Sequence, residues 1–209
     1  MVVSVQIIDL LLDHTNSFIF NDTSIGKCIA TSGKEYLWSD RHGGERLDVI
    51  VVHYISAVAV SPDDPYNIGQ ILKIFCDFGV SSHFLVSRDG VVYRLVPEQM
   101  KAWHCGGSRM PPPDSRKSVN DFSIGIELMA TADSGFTSEQ YDSLAHLIVT
   151  IEKKYMRRFI CVGHDMIAGQ EAVDDGLRTD VKVDPGKKFE WLLLENRIIE
   201  YREQSLALL

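Results

Sequence analysis

Two histidines and one aspartate stand where their side chains could hold a metal ion. His53 directly follows the apolar run VIVV, and His164 comes just after the apolar run FICV. Asp184 lies two residues after Lys182 and directly before Pro185, which restricts the local backbone. Zinc binds imidazole nitrogen and carboxylate oxygen at about 2.0–2.2 Å, and catalytic zinc sites keep one position open for water. The spacing by itself leaves two interpretations open: a zinc site, or histidines at strand ends with ordinary hydrogen-bond partners.

The segments that carry these residues are predicted to be buried strands. Residues 49–52 are a continuous β-branched run, which is typical of a strand buried on both faces. Residues 122–128 form a second predicted strand that carries Glu127 among apolar neighbours, and residues 159–162 form a third. Open α/β sheets bind their ligands at the carboxyl ends of strands, which is where His53 would lie.

Helix and turn signals alternate with these strands. Residues 66–79 place apolar side chains on one helical face and end at Gly79, and Asp89-Gly90 predicts a hairpin between two strands. Thr137 and Gln140 form a capping box at the start of the clearest helix, and a last helix is predicted near residues 189–201. The pattern predicts an α/β single domain with a mixed β-sheet flanked by α-helices.

Composition and charge exclude some classes of partner. The chain has 209 residues and a net charge of -8, with no dense Lys/Arg block, so nucleic acid is not an expected partner. No apolar run approaches the ~20 residues of a membrane span. The N-terminus lacks the basic start of a secretory signal, so we expect a cytoplasmic protein, or a periplasmic one if a signal was removed before this numbering. A monomer is favoured.

Domain organisation and cysteine use are predicted from weaker signals. Residues 1–46 carry little patterning, so they are predicted to be an N-terminal extension packed on a core domain of residues 47–209. The four cysteines are widely spaced and form no C-x-x-C pair. Four reduced thiols are therefore expected.

Five motifs in order give the chain a family resemblance. They are HY after a buried strand, SSHFLVSRDGVVYRLVPEQMKAWHCGGS, NDFSIGIEL, VGHDMIAG and KVDPG. Together they span about residues 47–191 and resemble the zinc-dependent N-acetylmuramoyl-L-alanine amidases of the AmpD type, which are related to the peptidoglycan recognition proteins. The resemblance implies one zinc ion and a peptidoglycan or muropeptide substrate.

The resemblance also implies roles for individual residues. It assigns the zinc ligands to His53, His164 and Asp184, the general acid/base to Glu127 and the oxyanion-stabilising cation to Lys182. Zinc makes a water nucleophilic near neutral pH, and a carboxyl group in an apolar strand is suited to proton transfer. The reaction implied is hydrolysis of the amide bond between the lactyl group of N-acetylmuramic acid and L-alanine.

Four further residues are candidates for substrate contact. His83, Trp103 and His104 fall in segments that line the substrate groove in relatives, and Tyr54 lies beside the first histidine. Three of them have a structural alternative: support of the metal site or the core for the two histidines, and packing alone for Trp103.

Two departures from the family pattern stand out. Tyr54 occupies the position where AmpD-type enzymes usually have asparagine. Residues 169–181 are longer than the corresponding family segment and are acidic, so a loop at the rim of the groove is predicted.

Two other functions are compatible with parts of the sequence. A peptidoglycan-binding module without catalysis is the first, although such relatives lack the zinc ligands. The second is a serine-type cell-wall carboxypeptidase, because Ser24 and Lys27 have the S-x-x-K spacing and residues 118–120 read SVN. The S-x-x-K spacing is short enough to arise by chance.

Overall fold

A computed structural model describes residues 5–10, 17–20, 23–27, 37–41, 44 and 46–206, of which residues 17–20, 23–27 and 206 are described by their backbone alone. The strands are β1 (Ile7–Asp9), β2 (Ser17–Phe20), β3 (Thr23–Lys27), β4 (Trp38–Ser39), β5 (Val49–Ile55), β6 (Phe84–Val86), β7 (Val92–Arg94), β8 (Lys101–Ala102), β9 (Ser123–Met129) and β10 (Ile160–Gly163). The helices are α1 (Ile68–Phe78), α2 (Ser138–Tyr155), α3 (His164–Ile167), α4 (Gln170–Asp174) and α5 (Trp191–Leu206).

Six strands form one mixed sheet in the order β1-β7-β6-β9-β5-β10. β6 and β7 pair antiparallel, and the other neighbours are parallel. The turn between β6 and β7 contains Gly90, whose φ of +83° suits glycine, so the predicted hairpin is confirmed. β2 pairs with β3 and β4 with β8 in two small antiparallel sheets. The α/β class and the mixed sheet are as predicted.

The central strands have two different faces because side chains alternate along a strand. Ile50 and Val52 of β5 pack with α2 and α5 in the largest core cluster. Val49 and Val51 point to the opposite face and pack with Phe122. His53 continues this second series, so its side chain lies on the face that α2 and α5 do not cover.

The predicted helices are found with the expected ends. Thr137 and Gln140 make both hydrogen bonds of the capping box at the start of α2. Gly79 ends α1 in the left-handed region, with φ +62°. The last helix, α5, begins at Trp191 and runs to Leu206, about five residues beyond its predicted end.

Two local predictions need correction. The strand that carries His53 does not end there, because its parallel ladder with β9 continues to the pair of Ile55 and Met129. The predicted loop of residues 169–181 contains α4, whose Ala172 is buried and donates its backbone N–H to the Gly169 carbonyl. A buried alanine gives this short helix an apolar anchor.

The prediction of four reduced thiols is wrong for Cys76. This residue lies in α1 and is disulfide-bonded, whereas Cys105 and Cys161 are free. No helix within the described ranges is both long and apolar enough to cross a membrane. β1 pairs with β7, so the described part of residues 1–46 includes an exposed edge strand of the main sheet; the boundary at residue 47 remains a prediction.

A buried carboxylate connects α2, α5 and the start of β10. Glu152 accepts hydrogen bonds from Arg202 at 2.6 and 2.9 Å, from Arg158 at 2.8 Å and from the backbone N–H of Phe159 at 3.2 Å. Burial by itself raises the pKa of Glu152, but these bonds outweigh it and hold the pKa below its usual value. The cluster fixes the position at which β10 begins. It therefore also helps to position His164, which directly follows β10.

We predict that Glu152→Gln lowers the free energy of unfolding by about 2 kcal/mol at neutral pH, because it removes charge-assisted hydrogen bonds from a buried group. Urea denaturation measures this, with Glu195→Gln on the exposed face of α5 as the control. A group whose folded pKa is lowered stabilises the protein above its unfolded pKa, about 4.3, and loses this effect as the pH falls through the folded value. The difference between wild type and variant should therefore shrink in acid; a difference independent of pH would contradict the assignment.

Candidate metal centre and active site

Three elements bring the predicted metal ligands together. His53 lies on β5, and His164 is the first residue of α3, directly after β10, which pairs with β5. Asp184 comes from the segment after α4, and its carbonyl accepts the backbone N–H of Asp165 at 2.8 Å. This hydrogen bond fixes the aspartate backbone against the start of α3.

The three ligand atoms form a nearly equilateral triangle. His53 Nδ1 lies 3.1 Å from His164 Nδ1 and 3.0 Å from Asp184 Oδ2, and His164 Nδ1 lies 3.1 Å from the same oxygen. Two imidazole nitrogens and a carboxylate oxygen converging on one point are a zinc ligand set. Protons alone satisfy this triangle poorly, whereas a single cation can be shared by all three atoms. The residues therefore fit a divalent metal.

Two of the three groups in the triangle, Asp184 and His164, have charge states that suit metal binding. Burial tends to raise the pKa of Asp184, but hydrogen bonds to both histidines outweigh it and hold the pKa well below its usual range. Burial and the neighbouring His53 lower the pKa of His164 to about 4. At neutral pH the cluster thus offers an ionised carboxylate and a neutral imidazole, the forms that coordinate metals.

Glu127 is the neighbour of His53 in the sheet. The two residues are paired in register between β5 and β9, so their side chains emerge on the same face. Glu127 is 8% exposed, and its buried Oε2 has no hydrogen-bond partner among the described residues. Burial raises the pKa of Glu127 to about 7. A buried carboxyl group that is half-protonated at neutral pH can both accept and donate a proton.

A two-part groove opens over these residues. One cavity of about 310 Å³ contains the three ligands with Glu127 and Tyr54. A second cavity of about 460 Å³ lies beside it and is lined by Trp103. The two cavities share four lining residues: Val80, His104, His164 and Lys182. The groove is therefore continuous past the metal centre.

Lys182 stands at the junction of the two cavities. Its backbone N–H donates to the Ala168 carbonyl at 2.9 Å, which fixes the segment just before Asp184. Within the part of the chain that the structure describes, its ammonium group makes no ion pair or hydrogen bond. An exposed and unpaired cation beside a metal centre is available to a bound anion or a developing negative charge.

The inserted segment forms part of the groove wall. Leu177 places its carbonyl oxygen so near Gly107 that a Cβ at residue 107 would be 1.9 Å away. Arg178 lines the second cavity and donates to the Gly107 carbonyl at 3.3 Å. Residues 169–181 thus pack directly on the backbone next to the groove, as the predicted rim position requires.

The structure separates the candidate substrate contacts into two kinds. Tyr54 and Trp103 are half-buried and line the groove. His83 is fully buried: its Nδ1 accepts the Gly125 N–H and its Nε2–H donates to the Met100 carbonyl, both at 3.0 Å. Because both ring nitrogens are used inside the protein, His83 supports the sheet, and the prediction that it contacts substrate gives way to its structural alternative.

Arg41, in the predicted N-terminal extension, was not identified from the sequence. Its side chain supports the backbone beneath the site. Its guanidinium donates to the carbonyls of Glu98, Asn120, Asp121 and Ser123 at 2.8–3.2 Å. Burial lowers the pKa of Arg41 to about 10. Backbone carbonyl partners leave no mark on a sequence, so no residue pattern could have pointed to this arginine.

The S-x-x-K alternative falls outside what the structure describes in side chains. Ser24 and Lys27 lie in β3, for which the backbone alone is described. The serine-type activity therefore stays a prediction.

Comparisons with known proteins find amidases of the AmpD type. The 1,6-anhydro-N-acetylmuramyl-L-alanine amidase AmpD of Haemophilus influenzae is 30% identical over 166 residues, covering 72% of this chain and 82% of that protein. AmpD of Citrobacter freundii is 34% identical over 163 residues, covering 72% and 80%. With AmpD of Salmonella typhimurium the chain shares 37% identity over 112 residues, so it spans about half of that relative's length, 54%.

Solved structures show the same fold. A crystal structure of a selenomethionine AmpD derivative matches with a TM-score of 0.59 and 28% identity, covering 78% of this chain and 90% of that one. The Escherichia coli amidase AmiD, solved in complex with the substrate anhydro-N-acetylmuramic acid-L-Ala-D-gamma-Glu-L-Lys, matches with a TM-score of 0.56 and 29% identity, covering 76% and 60%. The family described as N-acetylmuramoyl-L-alanine amidase matches residues 43–187, which is more than half of the sequence. The chain belongs to the N-acetylmuramoyl-L-alanine amidase family.

Proposed function

We propose that this protein is a zinc-dependent hydrolase of the amide bond between the lactyl group of N-acetylmuramic acid and L-alanine in peptidoglycan or muropeptides. The observation that carries the proposal is the triangle of His53, His164 and Asp184, with sides of 3.0–3.1 Å, at the bottom of a groove that also contains Glu127. Family membership supports the bond that is cut, and the donor set supports zinc.

The residues around the triangle have separate roles in this proposal. Bound zinc supplies a Lewis acid and lowers the pKa of a coordinated water toward about 7. Glu127 takes a proton from the attacking water and delivers it to the leaving nitrogen of L-alanine, and its pKa of about 7 suits both transfers. Lys182 stabilises the negative charge that develops on the carbonyl oxygen of the scissile amide.

The groove holds the two sides of the bond in place. The cavity around Glu127 and Tyr54 and the neighbouring cavity lined by Trp103 provide two compartments on either side of Lys182. We assign one to the sugar and the other to the stem peptide. Trp103 offers a half-buried aromatic face, which suits contact with a sugar ring or an apolar peptide side chain.

The disulfide of Cys76 is relevant to the cellular compartment in which the protein works. Disulfides persist in oxidising compartments and are rare in the cytosol, so this bond favours the periplasmic alternative over the cytoplasmic prediction. A monomer remains the prediction for the oligomeric state.

Digestion of purified muropeptides tests the proposed function. We expect release of free stem peptide, identified by mass, which stops with a chelator and returns on adding zinc. Asp184→Asn should lose zinc and activity together, whereas Asp180→Asn, on the nearby exposed segment, should keep both. A wild-type protein that binds zinc and muropeptide but releases no peptide would instead indicate a binding module. Parallel digests of soluble anhydromuropeptide and intact wall separate the two substrate sources.

We predict that Glu127→Gln lowers kcat by about 10²–10⁴-fold, because it removes proton transfer while keeping the shape of the side chain. Zinc content should stay at the wild-type level, since Glu127 is not among the ligand atoms of the triangle. Steady-state kinetics on muropeptide measure kcat, and metal analysis of the same sample measures the zinc content. Activity close to wild type would show that another group transfers the proton.

We predict that Lys182→Met lowers kcat by about 10²–10³-fold, the usual effect of losing one group that stabilises an oxyanion. The control is Lys187→Met, which removes an exposed lysine from the same segment. KM should change much less than kcat, because the stabilised charge exists only in the transition state. A rise in KM alone would instead assign Lys182 to ground-state binding of the substrate.

A further inference from the structure

The ring of His104 lies between the metal centre and the floor of the sheet. Its Nδ1 is 3.0 Å from Nε2 of His53, and its Nε2 is 3.2 Å from the hydroxyl oxygen of Ser123. The ring rests directly on Gly125, where an added Cβ would meet His104 Cγ at 2.5 Å. Glycine at residue 125 therefore makes room for this ring.

The ligand role of His53 decides where each proton in this chain of contacts must lie. His53 turns its Nδ1 toward His164 and Asp184, so metal binding leaves its remaining proton on Nε2. That N–H has His104 Nδ1 as its acceptor. His104 must then carry its own proton on Nε2, and it donates that proton to Ser123 Oγ.

The series of hydrogen bonds continues beyond Ser123, with each donor facing an acceptor. The Ser123 hydroxyl hydrogen-bonds to the thiol of Cys105. Cys105 Sγ donates to Asn120 Oδ1 at 2.9 Å, and the same oxygen accepts the backbone N–H groups of His104 and Cys105 at 3.2 and 3.0 Å. Every donor has one acceptor, and the last acceptor is an amide oxygen that is held by two backbone groups. Arg41 holds the other end of Ser123 through its carbonyl.

We propose that His104 is a positioning residue for the zinc ligand His53, fixing its tautomer and ring orientation through the chain His53–His104–Ser123. The inference rests on the proposed zinc-dependent function and deepens it. It replaces the expectation that His104 contacts substrate, because both of its ring nitrogens are committed to partners inside the protein. Metal-binding histidines generally donate their second N–H to such a partner, and losing the partner weakens metal affinity about 10–100-fold.

Zinc affinity measured by competition with a chromophoric chelator tests the inference on the full chain. We expect His104→Leu, which keeps bulk and removes the acceptor, to bind zinc about 10–100-fold more weakly. His104→Asn should recover most of the affinity, because its amide oxygen occupies nearly the place of Nδ1. Ser123→Ala, which removes the next partner, should weaken zinc binding less than His104→Leu. His146→Leu is the control, since His146 stacks on Tyr201 outside this site.

Kinetics and NMR add measurements that distinguish a positioning role of His104 from a merely structural one. His104→Leu at saturating zinc should lower kcat with little change in KM, whereas a substrate contact would raise KM. The ¹⁵N shifts of the zinc-loaded wild type should report a protonated Nε2 on His104.

The outcomes separate this inference from the proposed function. Wild-type zinc affinity in a folded His104→Leu variant overturns the inference and leaves the proposed function standing. If that variant does not fold, the Ser123→Ala variant provides the test. Unchanged zinc affinity in Ser123→Ala, together with a protonated Nδ1 on His104, overturns the inference. A wild type that binds no zinc overturns the proposed function and this inference with it.

Discussion

The parallel register of β5 and β9 is the constraint on which the rest of the site depends. It pairs His53 with Glu127 and Val51 with Gly125, and it leaves all four on the face that α2 and α5 do not cover. A shift by one residue would turn both functional side chains into the apolar core on the other face. The position of this ladder protects it against a shift in register, because β9 and β5 are central strands whose side chains on the opposite face are buried.

Electrostatics at the site follow from how deeply each group is buried and what faces it. Asp184 and Glu127 are both carboxyl groups in one cavity, yet their pKa values move in opposite directions. Asp184 Oδ2 lies 3.0–3.1 Å from a ring nitrogen of each of two histidines, and Asp184 stays ionised, as the proposed metal ligand must. Glu127 has an oxygen with no hydrogen-bond partner among the described residues and a pKa of about 7, which suits the proposed proton transfer. Two carboxyl groups in one cavity thus suit two different proposed roles because their surroundings differ.

The sequence predicted the groups whose surroundings are local and missed those whose partners are distant. Apolar strand segments followed by histidine, and a glutamate inside an apolar strand, are visible in short windows, so His53, His164 and Glu127 could be identified as candidates from the sequence. The capping box of α2 and the hairpin at Gly90 are local signals as well. The residue pattern made Asp184, next to Pro185, a candidate third ligand, and the resemblance assigned it that role.

The missed features share a different cause. Arg41 acts on backbone carbonyls, and α4 is too short for a periodic pattern. The commitment of both His104 nitrogens becomes visible only when β5, β9 and the segment before residue 105 are brought together. The bonded state of Cys76 also depends on contacts that spacing cannot reveal.

The ligand triangle joins segments that lie far apart along the chain, since His53 precedes Asp184 by 131 residues. An unfolded chain almost never brings such positions together, so the ion has no comparable site to occupy there. If the triangle holds zinc as proposed, the free energy of metal capture is consequently also free energy of folding. Scarcity of the ion would then reduce the amount of intact protein as well as the fraction that is loaded, and cellular abundance would follow metal supply.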